Sequence, residues 1–482
     1  MSENSSAREK VTVRLKSAYG FGSVAFGVVD NGFSYFLLLF YSQVIGLDAR
    51  LVGIAITTAL VFDALSDPVV GYWSDNLRSR WGRRHPFMYV SAVPVALSYF
   101  LLWTPPSDLS DTSMFWYLLV LAVFIRTFIT LYETPSTALA PELTADYHDR
   151  SSLLSFRYFF GWTSGIAMSV MMFMVIFPSQ ATEANPDGRF NPGSYEIFGI
   201  VASVLLFVSI LVSALGTHSR IPHLNIPSAS RRMTIATVFK EIFETLANRS
   251  FLALFVGALL GAVAAGLGTA LTFYFYTYFW EFSSTETGII MVGLFLSALI
   301  GPALAPVVTR AIGKKRGAMV TGLVAFVGAP LPILLRLMGV LPENGTPFVF
   351  WFVFTAQVID VGLIICFQIL FSSMIADLVE QAELKTGRRS EGVFFSTVTF
   401  VRKSVQGLGL MMASLVLYLA DFQAGAAVDE VSEQTIWRLG AYYVPLILAL
   451  YLGMMGVISM YRLGEDDHEN NLRELAARRA EA

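Results

Sequence analysis

Two aspartates four positions apart in an apolar segment are the residues with the clearest chemical meaning. Asp63 and Asp67 lie in the stretch LVFDALSDPVV, with Ser66 beside the second carboxylate. In a helix of 3.6 residues per turn, side chains four positions apart project from one face. Two carboxylates in a site of low dielectric constant do not both stay ionised unless a cation or a base compensates them. The pair therefore predicts binding of a metal cation or of a proton.

A second apolar segment offers further oxygen atoms. It carries Glu133 and, one turn earlier, Thr130, at a matching depth if the two helices are neighbours. Hard monovalent cations prefer oxygen ligands, and this set contains no sulfur or imidazole. Either Na⁺ bound by Asp63, Asp67 and Glu133 or a proton on one carboxylate satisfies the pattern, and the residue types do not separate the two.

Other ionisable residues also lie in apolar segments, where each is costly and marks either a functional site or an ion pair between helices. These residues are Asp30, Arg126, Arg157, Asp360, Arg402 and Lys403.

The composition places these residues in a membrane protein. Of 482 residues, 55% are hydrophobic and 14% charged, and the mean hydropathy is +0.60. Such a chain cannot cover itself with a water-exposed polar surface. The single cysteine, Cys366, excludes an intrachain disulfide framework. No concentrated basic tract indicates a nucleic-acid partner, and the polar N-terminus lacks the features of a signal peptide.

Twelve apolar segments are long enough to cross a bilayer as helices. A hydrocarbon core of roughly 30 Å needs about 20 helical residues, and a helix satisfies its own backbone hydrogen bonds in lipid. The predicted spans are 17–45, 50–73, 87–104, 115–141, 153–177, 196–216, 250–280, 286–309, 317–338, 347–375, 392–421 and 436–462. The predicted fold class is an all-α membrane protein with both termini on one side.

The charges of the connecting loops predict that side, because Lys and Arg accumulate in cytoplasmic loops. Bases cluster after spans 2, 6, 8 and 10, whereas the opposite loops are mainly acidic. We expect both termini in the cytoplasm and the chain in a bacterial cytoplasmic (inner) membrane.

The longest cytoplasmic connection divides the spans into two sets of six. We expect an N-terminal half at 1–216, a linker with an amphipathic helix at 217–249, a C-terminal half at 250–462 and a tail at 463–482. The basic loop after span 2 has a shorter counterpart, TRAIGKKRG, after span 8. This repetition predicts two related halves.

Several motifs resemble one known family. The run FDALSDPVVGYWSDNLRSRWGRRHPF at 62–87 is similar to the span-two motif and following loop of the glycoside-pentoside-hexuronide:cation symporters, the melibiose permease family. Further matches are YGFG at 19–22, VIGL at 44–47, YETPSTALAPELTADYHDRSSLLSFR at 132–157, MIADLVEQAEL at 374–384 and SEGVFFSTVTFVRK at 390–403. The resemblance implies the major facilitator fold, with two six-helix halves.

The resemblance also implies a cation site at five positions: Asp63, Ser66, Asp67, Thr130 and Glu133. The span-four carboxylate of the family's sugar transporters is typically Asp, whereas this chain has Glu133. The extra methylene favours proton coupling over a tight sodium site.

The substrate end departs further from the family. Gly27 stands where melibiose permease-like sequences have an Asp, and Asp30, three residues on, either takes its place or only pairs with Arg126. Thr137 and Gln368 stand where the family's galactoside carriers have Trp. The expected substrate-binding residues are Asp30, Arg126, Arg157, Gln368, Thr399 and Lys403.

The loop after span 2 is expected to act in gating. In major facilitators the matching loop makes ionic contacts between helices that break as the cytoplasmic side opens, although topology alone also accounts for its bases. Asp360 and Lys403 are expected to pair in one access state. The predicted gating residues are Asp75, Arg78, Arg80, Arg83, Arg84 and Asp360.

Together these features predict a secondary active transporter that carries a sugar or glycoside with Na⁺ or H⁺ by alternating access. We expect no cofactor beyond the coupling ion, no enzymatic activity, and function as a monomer in the lipid bilayer with a small-molecule solute. The alternative is a major facilitator carrier of a lysophospholipid or another non-sugar amphiphile, because the galactoside-specific residues are missing.

Overall fold

The computed structural model describes residues 11–144, 147–183, 186–223, 249–386, 405, 407–426 and 428–461. In this part of the chain, eleven helices are long and apolar enough to cross a membrane, and a shorter apolar helix follows the tenth. They are α1 (Val13–Val44), α2 (Ala49–Asn76), α3 (His85–Trp103), α4 (Asp111–Leu143), α5 (Ser152–Ser179), α6 (Pro192–His218), α7 (Arg249–Tyr274), α8 (Ser284–Ile312), α9 (Lys314–Leu337), α10 (Pro347–Thr386), α11 (Gly407–Leu419) and α12 (Glu433–Ser459). The described residues contain no β-strand.

Polar residues fix where several of these helices begin. Ser110 and Ser432 precede α4 and α12 and accept hydrogen bonds from backbone N–H groups of the first turn. Ser283 and Glu286 form a capping box at the start of α8. Such caps satisfy N–H groups that have no partner within the helix.

In the residues that the structure describes, four π-helical turns interrupt the regular α-helices. Two lie in α1, at Gly32–Phe36 and Phe40–Val44, one lies in α5 at Met172–Ile176, and one extends α7 at Phe275–Phe279. A π-helical turn inserts one extra residue and is frequent at functional sites. The first of these turns contributes Phe33 to the site described below.

The chain divides into two compact units. The first comprises Met1–Leu47 and Thr58–Ser230, and the second comprises Asp48–Thr57 and Arg231–Ala482. In the first unit, α3 packs on α4 and α6, and α1 packs on α5. In the second unit, α10 packs on α8 and α9, and α7 packs on α12.

A contact between glycines brings α1 and α5 unusually close. A Cβ atom on Gly27 would lie 2.0 Å from the carbonyl oxygen of Gly161 and 2.3 Å from Ser164 Oγ. Since real Cβ atoms do not approach backbone atoms this closely, only glycine fits at position 27.

The predicted fold class is confirmed, and the spans differ from their predicted positions mainly at their ends. The first and fourth helices begin at Val13 and Asp111, earlier than the expected residues 17 and 115. Most of the expected linker helix at 217–249 and the first part of span 11 lie outside the described residues.

Candidate cation and substrate site

Asp63 and Asp67 of α2 lie opposite two threonines of α4. Thr130 Oγ1 donates a hydrogen bond to Asp63 Oδ1, and Thr134 Oγ1 donates one to Asp67 Oδ1 at 3.3 Å. Asp63 and Thr130 are only 2% and 1% exposed, whereas Asp67 is half-buried. Because partners on both helices are four residues apart, α2 and α4 run parallel and in register here. We call these two contacts the carboxylate–threonine pairs.

Arg126 lies one turn before Thr130 on α4 and connects the first pair to α1. Its two terminal nitrogens lie 3.9 Å from Asp63 Oδ2 and 3.9 Å from Asp30 Oδ1. Its guanidinium carbon is 4.3 Å from the centre of the Phe33 ring, a cation–π contact. Arg126 is 3% exposed, and Asp30 is the more accessible acid, with 43% of its side chain exposed.

The geometry leaves this buried guanidinium without a short contact. A separation of 3.9 Å is too long for a hydrogen bond, and Arg126 Nε has no hydrogen-bond partner among the described residues. Arg126 thus interacts electrostatically with both carboxylates and forms a hydrogen bond with neither. Such an arrangement responds readily to the charge of either acid.

Glu133 contacts a different arginine. Arg157 Nη2 of α5 lies 3.8 Å from Glu133 Oε1, and Arg157 Nη1 donates a hydrogen bond to Ser136 Oγ at 3.1 Å. Tyr19 of α1 donates a hydrogen bond to the Ser136 carbonyl at 3.1 Å and lies beneath the guanidinium, 6.0 Å from ring centre to carbon. Arg157 therefore ties α4 to α5 beside a Glu133 side chain that is 20% exposed.

The expected sodium site with three carboxylates stays a prediction. Among the described residues, no three His, Cys, Asp or Glu side chains lie close enough to hold one metal ion. The charged neighbour of Glu133 is Arg157, with 3.8 Å between Oε1 and Nη2. A cation at α2 would therefore take its oxygens from the carboxylate–threonine pairs.

The remaining sequence-predicted residues fall in several places. Ser66 is half-buried and donates its hydroxyl hydrogen to the Asp63 carbonyl at 2.9 Å, within its own helix. Gln368 is an exposed residue of α10 in the second unit. Thr399 and Lys403 lie outside the described residues, so the Asp360–Lys403 pair stays a prediction. Asp360 itself is 8% exposed and has no ion pair with any described residue.

Three of the predicted gating residues belong to one ionic cluster at the end of α2. Arg84 bonds Asp75 at 2.5 Å and Ser74 at 2.8 Å. Arg84 and Arg83 also share Glu142 of α4, at 3.1 and 2.7 Å. Arg84 is buried, whereas the other two predicted bases of this loop, Arg78 and Arg80, are exposed and make no ion pair with a described residue.

Sequence reasoning missed Thr134, Ser136 and Glu142. The signal for Thr134 was present, since it follows Thr130 by the same four residues that separate Asp63 from Asp67. Glu142 directly follows the predicted span 4, and the sequence pattern assigned it no role. Its role depends on the proximity of α4 to the loop after α2, which only the structure provides.

Comparison with known proteins decides the family. A family model described as MFS/sugar transport protein matches residues 18–465. The chain belongs to this family. It is therefore an integral membrane protein and an MFS transporter, and the resemblance found in the motifs is confirmed.

Individual relatives cover almost the whole chain. A putative glycoside/cation symporter of Escherichia coli is 26% identical, over 98% of this chain and 96% of its own length. A sodium-dependent lysophosphatidylcholine symporter of Danio rerio is 22% identical, over 97% of this chain and 89% of its own length. The crystal structure of the nucleoside transporter NupG shares the fold, with a TM-score of 0.58 and 14% identity, over 92% of this chain and 99% of that one.

Proposed function

We propose that this transporter is a symporter that couples the movement of a sugar or glycoside to Na⁺ or H⁺. The observation that carries the proposal is the shared arginine: Arg126 lies at the same 3.9 Å from Asp63, the buried acid of α2, and from Asp30, the accessible acid of α1. One charge thus connects a candidate ion site to a candidate substrate site. The E. coli relative named as a putative glycoside/cation symporter supports the same assignment.

The coupling follows from electrostatics. When a cation or a proton neutralises Asp63, the attraction between Asp63 and Arg126 weakens, and the guanidinium interacts more strongly with Asp30 or with a bound hydroxyl group. Substrate bound at Asp30 and Arg126 in turn favours the neutralised form of Asp63. Each ligand therefore raises the affinity for the other by the same factor, as linkage requires.

Glu133 and Arg157 supply a second polar surface beside the first. The guanidinium of Arg157 and the partly exposed carboxylate of Glu133 offer hydrogen-bond donors and acceptors that suit sugar hydroxyls. We assign Glu133 to substrate recognition or to proton transfer, because it is partly exposed and has Arg157 as its charged neighbour. The ionic cluster of Asp75, Arg83 and Arg84 with Glu142 is assigned to gating.

The remaining features of the proposal concern the setting of the transporter. Its two halves alternate access to a central solute, as in other transporters built from repeated halves. It works as a monomer in a bacterial inner membrane, with both termini in the cytoplasm, as the basic loops predict.

A second candidate solute is a lysophospholipid. The Danio rerio relative, named as a sodium-dependent lysophosphatidylcholine symporter, matches nearly the whole chain. Melibiose permease-like sequences have an Asp at the position of Gly27. In this chain that position has no room for an acidic side chain, because Gly161 occupies the space. A pocket altered in this way fits a solute other than a galactoside.

Uptake into proteoliposomes tests both candidates. Purified protein is reconstituted, and radiolabelled glycosides and lysophosphatidylcholine are offered with an inward Na⁺ gradient, an inward proton gradient or no gradient. We expect accumulation of one glycoside class above its external concentration, with one of the two ions only. Accumulation of lysophosphatidylcholine alone supports the second candidate, and downhill movement that ignores both gradients contradicts symport.

Variants identify the coupling residue. Asp63→Asn is expected to abolish gradient-driven accumulation while exchange of solute across the membrane continues. Asp108→Asn makes the same chemical change at an exposed loop position and is expected to behave as the unaltered protein. Normal accumulation by Asp63→Asn would refute the assignment of the ion site.

A further inference from the structure

The second unit contains a cavity that is lined by none of the residues of the candidate cation site. It has a volume of ≈ 420 Å³ and runs between α8 and α10, next to the start of α9. None of its lining residues takes part in the coupling described above, and all of its walls belong to one unit.

The walls of the cavity change in polarity along its length. Arg310 in the last turn of α8 and Lys314, the first residue of α9, lie at one end. Thr309 and Ser373 supply hydroxyl groups beside these bases. Pro302, Pro306, Ile369 and Leu370 line the remainder. From Arg310 to Pro302 the helix descends eight residues, or about 12 Å at 1.5 Å per residue.

The apolar end of the cavity is closed by tight helix packing. A Cβ atom on Gly301 would lie 2.4 Å from Ile365 Cγ2 and 3.0 Å from the Cys366 backbone nitrogen. The helices α8 and α10 therefore touch at Gly301 and separate toward the bases. The two prolines assist the separation, because Pro302 and Pro306 have no N–H group and loosen the hydrogen bonding of α8.

Arg310 of this cavity differs from the bases of the related loop in the first unit. There, Arg83 and Arg84 are neutralised by Glu142 and Asp75. Arg310, by contrast, makes no ion pair with any residue that the structure describes. Among the described residues, Arg310 thus has no ionic partner at the end of a membrane helix, where lipid headgroups lie.

We propose that this cavity is a binding site for one anionic phospholipid of the surrounding bilayer. The lipid phosphate pairs with Arg310 and Lys314, the glycerol and ester oxygens lie against Thr309 and Ser373, and an acyl chain lies along Pro306 and Leu370. The order of base, hydroxyl and apolar surface along about 12 Å matches the order of phosphate, glycerol and acyl chain in such a lipid. This occupant is bound and not transported, so the proposal does not depend on the solute.

Native mass spectrometry of the purified full-length protein tests the site. The protein is delipidated in detergent and titrated with phosphatidylglycerol, phosphatidylcholine or glycerol 3-phosphate. We expect one phosphatidylglycerol to bind about tenfold or more tightly than phosphatidylcholine, because two bases near a membrane surface each favour an anionic headgroup. Glycerol 3-phosphate, which has no acyl chain, is expected not to bind.

Two matched double variants distinguish lipid binding by the bases of the cavity from attraction of lipid by general surface charge. Arg310→Gln with Lys314→Gln is expected to remove the preference for phosphatidylglycerol. Lys315→Gln with Arg316→Gln removes the same charge from residues that do not line the cavity and is expected to preserve that preference. Equal losses in both variants would show that only diffuse charge attracts the lipid and would overturn the proposal.

A third variant fills the cavity without changing charge. Ser373→Trp is expected to prevent retention of the single phosphatidylglycerol. Unchanged retention in this variant, or equal affinity for phosphatidylglycerol and phosphatidylcholine in the unaltered protein, also overturns the proposal. The elution volume in size-exclusion chromatography shows for each variant that the protein is folded.

Discussion

Replacing Thr130 with valine distinguishes sodium coupling from proton coupling. The two side chains have nearly the same shape, so the change removes a hydroxyl group from a position that is 1% exposed and leaves the packing almost intact. The hydroxyl donates a hydrogen bond to Asp63. Hydrogen bonds to charged groups contribute about 1.5–3 kcal/mol, which corresponds to roughly a tenfold to hundredfold change in an equilibrium constant.

The kind of effect depends on the coupling ion. If the ion is a proton, loss of the donor destabilises the ionised Asp63, so the pH dependence of transport changes and transport stays independent of Na⁺. If the ion is Na⁺, loss of the hydroxyl oxygen removes a ligand, so the Na⁺ concentration for half-maximal transport rises by about tenfold or more. Uptake measured across pH at fixed Na⁺, and across Na⁺ at fixed pH, separates these results.

Thr127→Val is the matched control for this measurement. Thr127 lies on the same helix, but its hydroxyl bonds to the Val123 carbonyl of its own helix at 2.8 Å. We expect this variant to keep both dependences unchanged. If Thr130→Val also kept both, the first carboxylate–threonine pair could not be the ion site, and the reasoning from Asp63 would fail.

Three further changes have definite expected outcomes. Arg126→Gln is expected to bring the ratio of substrate affinities with and without the coupling ion close to one, because the charge shared by the two sites is lost; equilibrium binding measures this ratio. Glu142→Gln is expected to cost about 1–3 kcal/mol and lower the midpoint of thermal inactivation, because the buried Arg84 loses one of its two acids. Gly27→Ala is expected to prevent folding, because its Cβ atom meets the Gly161 carbonyl at 2.0 Å; the yield of monodisperse protein measures this.

Each of these has a control in the same chain. Asp108→Gln is the exposed comparison for Arg126→Gln and Glu142→Gln, and it is expected to preserve both coupling and thermal stability. Gly456→Ala adds a Cβ atom that has no atom within 4 Å beyond the glycine's chain neighbours and the adjacent backbone of its own helix, and this variant is expected to fold normally. A coupling ratio unchanged by Arg126→Gln, a thermal midpoint unchanged by Glu142→Gln, or a normal yield of Gly27→Ala would each contradict the corresponding contact.

The sequence was sufficient to predict where the membrane spans lie. The reason is that hydropathy is a property of about 20 successive residues and needs no tertiary contact. Span 3, expected at 87–104, is the helix His85–Trp103. Helical periodicity also placed Asp63 and Asp67 on one face. It could not place Glu133 beside Arg157, because that contact depends on how α4 packs against α5.

Packing likewise decides the residues that the sequence did not reveal. Thr134 matters only because α2 and α4 are parallel and in register, and Glu142 only because the loop after α2 reaches the end of α4. Gly27 was read as a lost acid, whereas the structure gives it a steric role against Gly161. In all three cases the deciding information is the identity of a neighbour distant in sequence.

The continuous helix α4 has a mechanical consequence. It carries Arg126, Thr130 and Glu133 along its middle and Glu142 near its end, with no break from Asp111 to Leu143. Pro135 and Pro141 lie between Thr130 and Glu142, and neither has an N–H group for the helical hydrogen bonding. This part of α4 is therefore expected to bend. A rotation that separates Thr130 from Asp63 is thus expected to reach Glu142 and the ionic cluster only in part, so the occupancy of the ion site and the state of that cluster are coupled loosely.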